Sequence, residues 1–214
     1  MEKAQEIAKI LLDIGAVKVN MNPPFTWTSG IQSPVYCDNR KLISYPKERK
    51  QIVDGFADMF HAAGLNPEYI GGTATAAIPW ASFLAYELDL PMIYIRPEKK
   101  EHGAGKQVEG ELPPGKRVLI VEDLISTGGS SVNAARAVQT ECQGVVTDIF
   151  AIVTWELEES KKQFIDAGLK LSTLTNFSNI IGLALERKMI SQEEWGKILE
   201  FKKDPRRWAK NAGL

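Results

Sequence analysis

The sequence is poor in the residues that staple small folds or hold structural metals. Two cysteines, Cys37 and Cys142, and two histidines, His61 and His102, are scattered through 214 residues. A disulfide framework or a four-ligand zinc site needs more thiols and imidazoles than this, and needs them clustered. Long apolar runs are missing too. Nothing approaches the roughly 20 residues that span a bilayer, and Met1-Glu2-Lys3-Ala4-Gln5-Glu6 lacks the apolar stretch of a secretory leader. The expectation is a reducing, cytoplasmic setting with no membrane partner. An excess of one charge sign is also lacking: 26 Lys and Arg stand against 27 Asp and Glu, for a net charge of −1. That balance argues against a protein that coats nucleic acid. Glycine and proline, at 17 and 11, are present in ordinary amounts, so collagen-like and low-complexity chains are also excluded.

What is present reads as one α/β domain over residues 1–214. Ile7, Leu11 and Ile14 share a helix face that Gly15 ends. Residues 25–38 are β-prone on both sides of Ser29-Gly30, a hairpin signal. A helix follows Pro46, with Ile52, Val53, Phe56, Met59 and Phe60 inward, until Gly64. Strand and helix patterns then alternate. Tyr69-Ile70 leads into Gly71-Gly72, Met92–Ile95 is extended, and residues 96–115 form a polar Gly/Pro-rich loop. Val118–Val121 and Val145–Val153 read as buried strands with a helix through Val132, Ala135 and Val138 between them. Such alternation predicts a mainly parallel central sheet flanked by helices. Ser191-Gln-Glu-Glu194 fits a capping box, and the basic tail from Lys202 to Lys210 reads as solvated surface.

The chemistry concentrates in residues 118–131, Val-Leu-Ile-Val-Glu-Asp-Leu-Ile-Ser-Thr-Gly-Gly-Ser-Ser. An apolar strand delivers Glu122 and Asp123 to the end of a sheet where ligands collect. Both carboxylates can accept hydrogen bonds from vicinal ribose hydroxyls. Small residues then lead into a helix, whose N-terminal N–H groups, with the hydroxyls of Ser126, Thr127 and Ser130, suit a phosphate. A strand ending in acidic N-cap residues is the plainer alternative. Two decoys fail. Gly110–Lys116 nearly spells a nucleotide-binding P-loop, but Arg117 replaces the hydroxyl residue and a strand follows. Gly103-x-Gly105 lacks a third glycine at 108.

Glu122–Ser130 resembles the phosphoribosyl-diphosphate (PRPP) motif of the type I phosphoribosyltransferases. Two more segments resemble the orotate-using branch of that family: Phe25–Asp38, and the stretch from Arg96 to Gly110, which is similar to its mobile catalytic loop. In that loop Arg96, Lys99, Lys100 and Lys106 face three glutamates, with His102 able to add a proton. The resemblance implies a type I phosphoribosyltransferase fold with a small N-terminal hood drawn from residues 1–40. It implies transfer of phosphoribosyl from PRPP to orotate, in pyrimidine biosynthesis, with Mg²⁺ held mainly by substrate and water. It also implies a homodimer that shares active sites. Lys100, His102 and Asp123 would be catalytic. PRPP would contact Arg96, Lys99, Lys100, His102, Glu122, Asp123, the 124–130 turn (Leu124, Ile125, Ser126, Thr127, Gly128, Gly129, Ser130) and Thr73 in the Gly71–Thr75 diphosphate turn. Ser126 and Arg40 would meet orotate.

The chain departs from the better-known pattern at several cations. Thr28, Ala76 and Pro97 stand where lysines are expected, and Thr154–Glu158 lacks the arginine that meets the orotate carboxylate. Lys99 and Arg40 are the compensating candidates. Rival readings are a phosphoribosyltransferase for another base and a PRPP-sensing regulator. The latter would need a DNA-binding module, for which the short segment ahead of the hairpin offers no basic excess.

Overall fold

The computed structural model describes residues 2–27, 30–98 and 105–214. Helix α1 (Lys3–Asp13) is followed by short strands β1 (Val17–Val19), β2 (Phe25–Thr26), β3 (Gln32–Ser33) and β4 (Val35–Cys37), then a 3-10 segment over Asn39–Ser44. The chain continues through α2 (Pro46–Ala62), β5 (Tyr69–Thr73), α3 (Ile78–Glu87), β6 (Met92–Ile95) and β7 (Val108–Glu109). Next come β8 (Val118–Ile125), α4 (Gly129–Cys142), β9 (Asp148–Thr154), α5 (Glu158–Asp166) and β10 (Lys170–Asn176). The last elements are α6 (Phe177–Glu186), α7 (Gln192–Leu199) and α8 (Trp208–Ala212).

Six strands form one sheet in the order β10-β9-β8-β5-β6-β7, parallel except for β7. The strands that read as unbroken apolar runs are central: Val118–Val121 of β8 and Ile149–Val153 of β9 are buried throughout. Both faces of these strands are covered, which is why their pattern does not alternate. One core lies between the sheet and α1, α2, α3 and α6, around Leu119, Val121, Phe56 and Phe150. The other lies under α4 and α5, around Ile120, Ile149, Val138 and Phe164. Local signals set the helix starts. Pro46 opens α2, Asn176 accepts from the Asn179 amide at α6, and Ser191 and Glu194 complete the capping box at α7.

Four features differ from the sequence reading. Strand β8 runs beyond Val121 to Ile125 because Leu124 and Ile125 pair with Val153 and Thr154. The polar 96–115 stretch contains β7, paired antiparallel with β6. In the N-terminal hairpin, Phe25 pairs with Ser33 and Thr26 with Gln32, but Val35–Cys37 leaves it to pair with β1. The basic tail is not simply solvated surface. Phe201 and Trp208 are buried, and the Trp208 indole donates to the Lys197 carbonyl at 2.7 Å. The arginines and lysines read as a charged run are the outward faces of a segment whose aromatics are core.

Candidate active site

The chain order reverses direction between β5 and β8, and ligands of open parallel sheets collect at such switch points, beyond the carboxyl ends of the strands. Here β8 delivers Glu122 and Asp123 onto opposite faces. Glu122 lies on the α4 side and is buried; its Oε1 accepts from the Ser131 hydroxyl at 2.9 Å. Burial pushes its titration up to about 7, against the hydrogen bonds of Thr73 and Ser131, which favour the charged form. Asp123 is half-buried on the other side. Its titration is pushed up to about 6 by burial, opposed by its own and the Leu124 amide and by the charge of Arg40. The Asp123 carbonyl accepts from Asn39 Nδ2 at 2.7 Å, which ties the segment after the hairpin to the end of β8. Asn39 is fully buried, and its Oδ1 has no hydrogen-bond partner.

Past Ile125 the chain bends through Ser126 and Thr127 and enters α4. Gly128 caps this helix at φ +89°, and a Cβ there would lie 2.9 Å from the Phe164 ring of α5. Only glycine satisfies both conditions. The turn therefore lies close over α5, with the N–H groups of the first turn of α4 available to an anion. Thr73, at the end of β5, is buried, with Oγ1 3.4 Å from the Val121 carbonyl. Next to it, a Cβ on Gly72 would come within 2.7 Å of Ala81, so α3 packs directly on the strand.

Beside this turn opens a cavity of about 520 Å³. Its wall combines aromatics of the hairpin region, Trp27 and Tyr36, with Trp155, Leu124 and the polar residues Ser126 and Thr127, and its charged members are Glu159 and Arg206. Volume, apolar lining and a few convergent polar groups are those of a small-molecule site. Cys37 is also part of the wall, and burial raises its thiol pKa well above the usual range, so it behaves as a neutral wall residue.

The structure thus brings together Asp123, Leu124, Ser126 and Thr127, with Gly128, Gly129 and Ser130 following in the same turn. Ile125 is different: its side chain is core and its carbonyl accepts from Trp155 N–H, so it is committed to the sheet. Glu122 and Thr73 meet beneath the turn. Arg40 is exposed and donates to Asp38 at 2.6 Å, and it is not part of the cavity wall. Arg96 follows β6, with its guanidinium 3.9 Å from the Glu109 carboxylate. The neck of the following loop is closed by Arg96 N–H to the Gln107 carbonyl and by Glu141, which accepts from the Gln107 and Val108 amides. Lys99, Lys100 and His102 lie outside the described residues. Sequence reasoning missed Arg206, which the C-terminal segment brings to the cavity wall; nothing in its local sequence marks it. Among the described residues, no three His, Cys, Asp or Glu side chains gather into a metal cage.

A switch-point turn with a half-buried carboxylate at the end of β8, a helix N-terminus with open amides and an aromatic-lined cavity beside it are the parts a phosphoribosyltransferase needs. Residues 44–163 match the family model described as the phosphoribosyl transferase domain. The chain belongs to this family, and within it to the orotate phosphoribosyltransferases. It is 48% identical over 207 residues to an orotate phosphoribosyltransferase of Enterococcus faecalis, covering 97% of this chain and 98% of that one. It is 45% identical over 209 residues to that of Coxiella burnetii, covering 97% and 99%. Among solved structures, orotate phosphoribosyltransferase from Aeropyrum pernix aligns with a TM-score of 0.75 at 28% identity, over 86% of this chain and 99% of that one. The UMP synthase of Leishmania donovani aligns at 0.76 and 27%, over 93% of this chain and 42% of that one.

Proposed function

We propose that the protein transfers the phosphoribosyl group of PRPP to orotate, giving orotidine 5′-monophosphate and diphosphate. The observation that supports this best is the aromatic-walled cavity opening directly beside the Ser126–Ser130 turn. A flat pyrimidine held there would lie next to a 5′-phosphate bound at the turn. In the reaction the pyrimidine N1 bonds to the ribose C1 as the C1–oxygen bond to diphosphate breaks, and the electron pair leaves with the diphosphate. Asp123 would accept hydrogen bonds from the ribose hydroxyls and favour the positive charge that develops on the ring. Glu122, held by Ser131 below the turn, would support that strand end. The N–H groups and hydroxyls of residues 126–130 would hold the 5′-phosphate.

Arg96, Lys99 and Lys100 would stabilise the departing diphosphate, and His102 would bond or protonate it. A Mg²⁺ ion would be held mainly by substrate and water, since no cage of His, Cys, Asp or Glu gathers among the described residues. Such an ion would neutralise diphosphate charge. A homodimer with the loop serving its neighbour's site, in the reducing cytosol, completes the reading.

Turnover of PRPP should be measured with orotate, uracil, adenine and hypoxanthine. Release of diphosphate with orotate is expected, and turnover confined to a purine would refute the assignment. Lys100→Ala should lose orders of magnitude in rate. Mixed with Asp123→Asn under subunit exchange it should regain activity, and no recovery would argue against the shared site.

A further inference from the structure

We propose that Arg206, from the C-terminal segment, is the residue that binds the carboxylate of the pyrimidine substrate. The inference rests on the orotate reading above and deepens it. A pyrimidine bearing a ring carboxylate is distinguished from uracil by one negative charge, so its site needs a cation facing the base. In the wall of the 520 Å³ cavity, Arg206 is the one cationic side chain among the described residues. The alternative cation, Arg40, stands outside that wall and is already bonded to Asp38 at 2.6 Å. The Thr154–Glu158 turn supplies no cation either. Its Glu156 carboxylate accepts from the Ser178 amide at 2.8 Å and lies 3.8 Å from Lys202, so that lysine is engaged away from the cavity.

Two features give Arg206 a fixed address. A run of ring contacts leads from the hairpin into the tail: Trp27 to Phe201 at 5.5 Å, and Phe201 to Trp208 at 5.6 Å, both edge-to-face. The residues flanking Arg206 are thereby anchored to the same core that shapes the cavity, although its own side chain is exposed. Its guanidinium also has no ion-pair partner within 4 Å among the described residues, whereas the neighbouring Arg207 lies 3.9 Å from Asp204. An unpaired planar donor beside an aromatic-lined cavity matches a carboxylate on a flat ring, which can take two parallel N–H bonds. Arg206 also borders a second groove with Gln32, Pro205 and Lys210, so it stands between that groove and the cavity.

The test is a set of Michaelis constants for orotate and for PRPP on the wild type, Arg206→Ala, Arg206→Lys and Arg207→Ala. Arg207→Ala removes the same charge from the same segment without touching the cavity. Losing a charge-assisted bond should raise the orotate constant of Arg206→Ala at least about tenfold. The PRPP constant and the melting temperature should be unchanged, the lysine variant should recover part of the loss, and Arg207→Ala should match the wild type. The preference for orotate over uracil should narrow in Arg206→Ala alone. An orotate constant that does not move, or that moves no more than in Arg207→Ala, overturns the assignment, as does an equal rise for both substrates. A wild type that turns over purines but not orotate overturns the functional reading itself, a separate and recognisable result.

Discussion

Glu122 makes stability depend on pH in a direction opposite to that of most carboxylates. Its titration lies at about 7, against an ordinary 4.5, because the charged form is buried between β5, β8 and α4. Between these values the folded chain holds a proton that the unfolded chain has lost. Stability from this group is therefore fully present below pH 4.5 and is lost as pH rises through 7. At 1.36 kcal/mol per unit, the full swing is about 3 kcal/mol. Glu122→Gln keeps the shape and an oxygen for the Ser131 hydroxyl while fixing the side chain in a neutral form. Urea unfolding, followed by the fluorescence of the buried tryptophans, should be run from pH 5 to pH 8.5 on both proteins. The variant should be close to wild type at pH 5 and more stable by about 3 kcal/mol at pH 8. Asp123 titrates at about 6 and slopes the same way, and its charge is one of the causes that raise Glu122, so the two carboxyls are coupled. A difference that stays constant across the range would refute the reasoning.

Gly128→Ala forces a side chain into a left-handed turn and against Phe164, and should cost about 2 kcal/mol in urea unfolding while raising the Michaelis constant for PRPP. Ser191→Ala removes the capping bond to the Glu194 amide and should lower stability by about 1 kcal/mol, read as a lower melting temperature, with kinetics unchanged. Trp208→Ala empties a buried site and removes the bond to Lys197. Stability should fall by about 3 kcal/mol or more, and limited proteolysis should cut near Lys202 and Lys203 earlier than in the wild type. Chelation of divalent cations should stop turnover and leave the melting temperature of the PRPP-free protein where it was, because no cage of His, Cys, Asp or Glu side chains gathers among the described residues.

The parts of the fold legible in the sequence are those governed by local rules. Val118–Val121 and Ile149–Val153 are apolar throughout because both faces of the sheet are covered, and Pro46 and Ser191 mark helix starts through backbone groups that any helix must satisfy. The Glu122–Ser130 motif was legible for a related reason: strand end, turn and helix start are contiguous, so one short stretch builds the whole turn proposed to hold the 5′-phosphate. Strand β10 was not. Its sequence, Lys-Leu-Ser-Thr-Leu-Thr-Asn, has only two apolar residues among seven, as an edge strand paired on one side can. The tail was misread because charge dominates its composition, whereas two aromatics decide its position.

The division between legible and hidden site residues follows the same physics and bears on how the charge is arranged. Glu122 and Asp123 are adjacent in the chain, yet the two-residue period of β8 sends them to opposite faces. One becomes a buried, hydrogen-bonded acid and the other an open acceptor. Spacing alone could pair them but could not assign the faces until β8 was seen to continue to Ile125. Arg40 looked suitable by its place after the hairpin; it donates to Asp38 at 2.6 Å and is not part of the cavity wall. Arg206 is separated from Trp27 by most of the chain, and only the packing of Phe201 between Trp27 and Trp208 brings them to one cavity. A net charge of −1 therefore says nothing against two anionic substrates. What matters is where the charges stand: a carboxylate at the end of β8, and on the cavity wall a guanidinium with no ion-pair partner within 4 Å among the described residues. The second arrangement comes from tertiary contacts, which no motif of adjacent residues can encode.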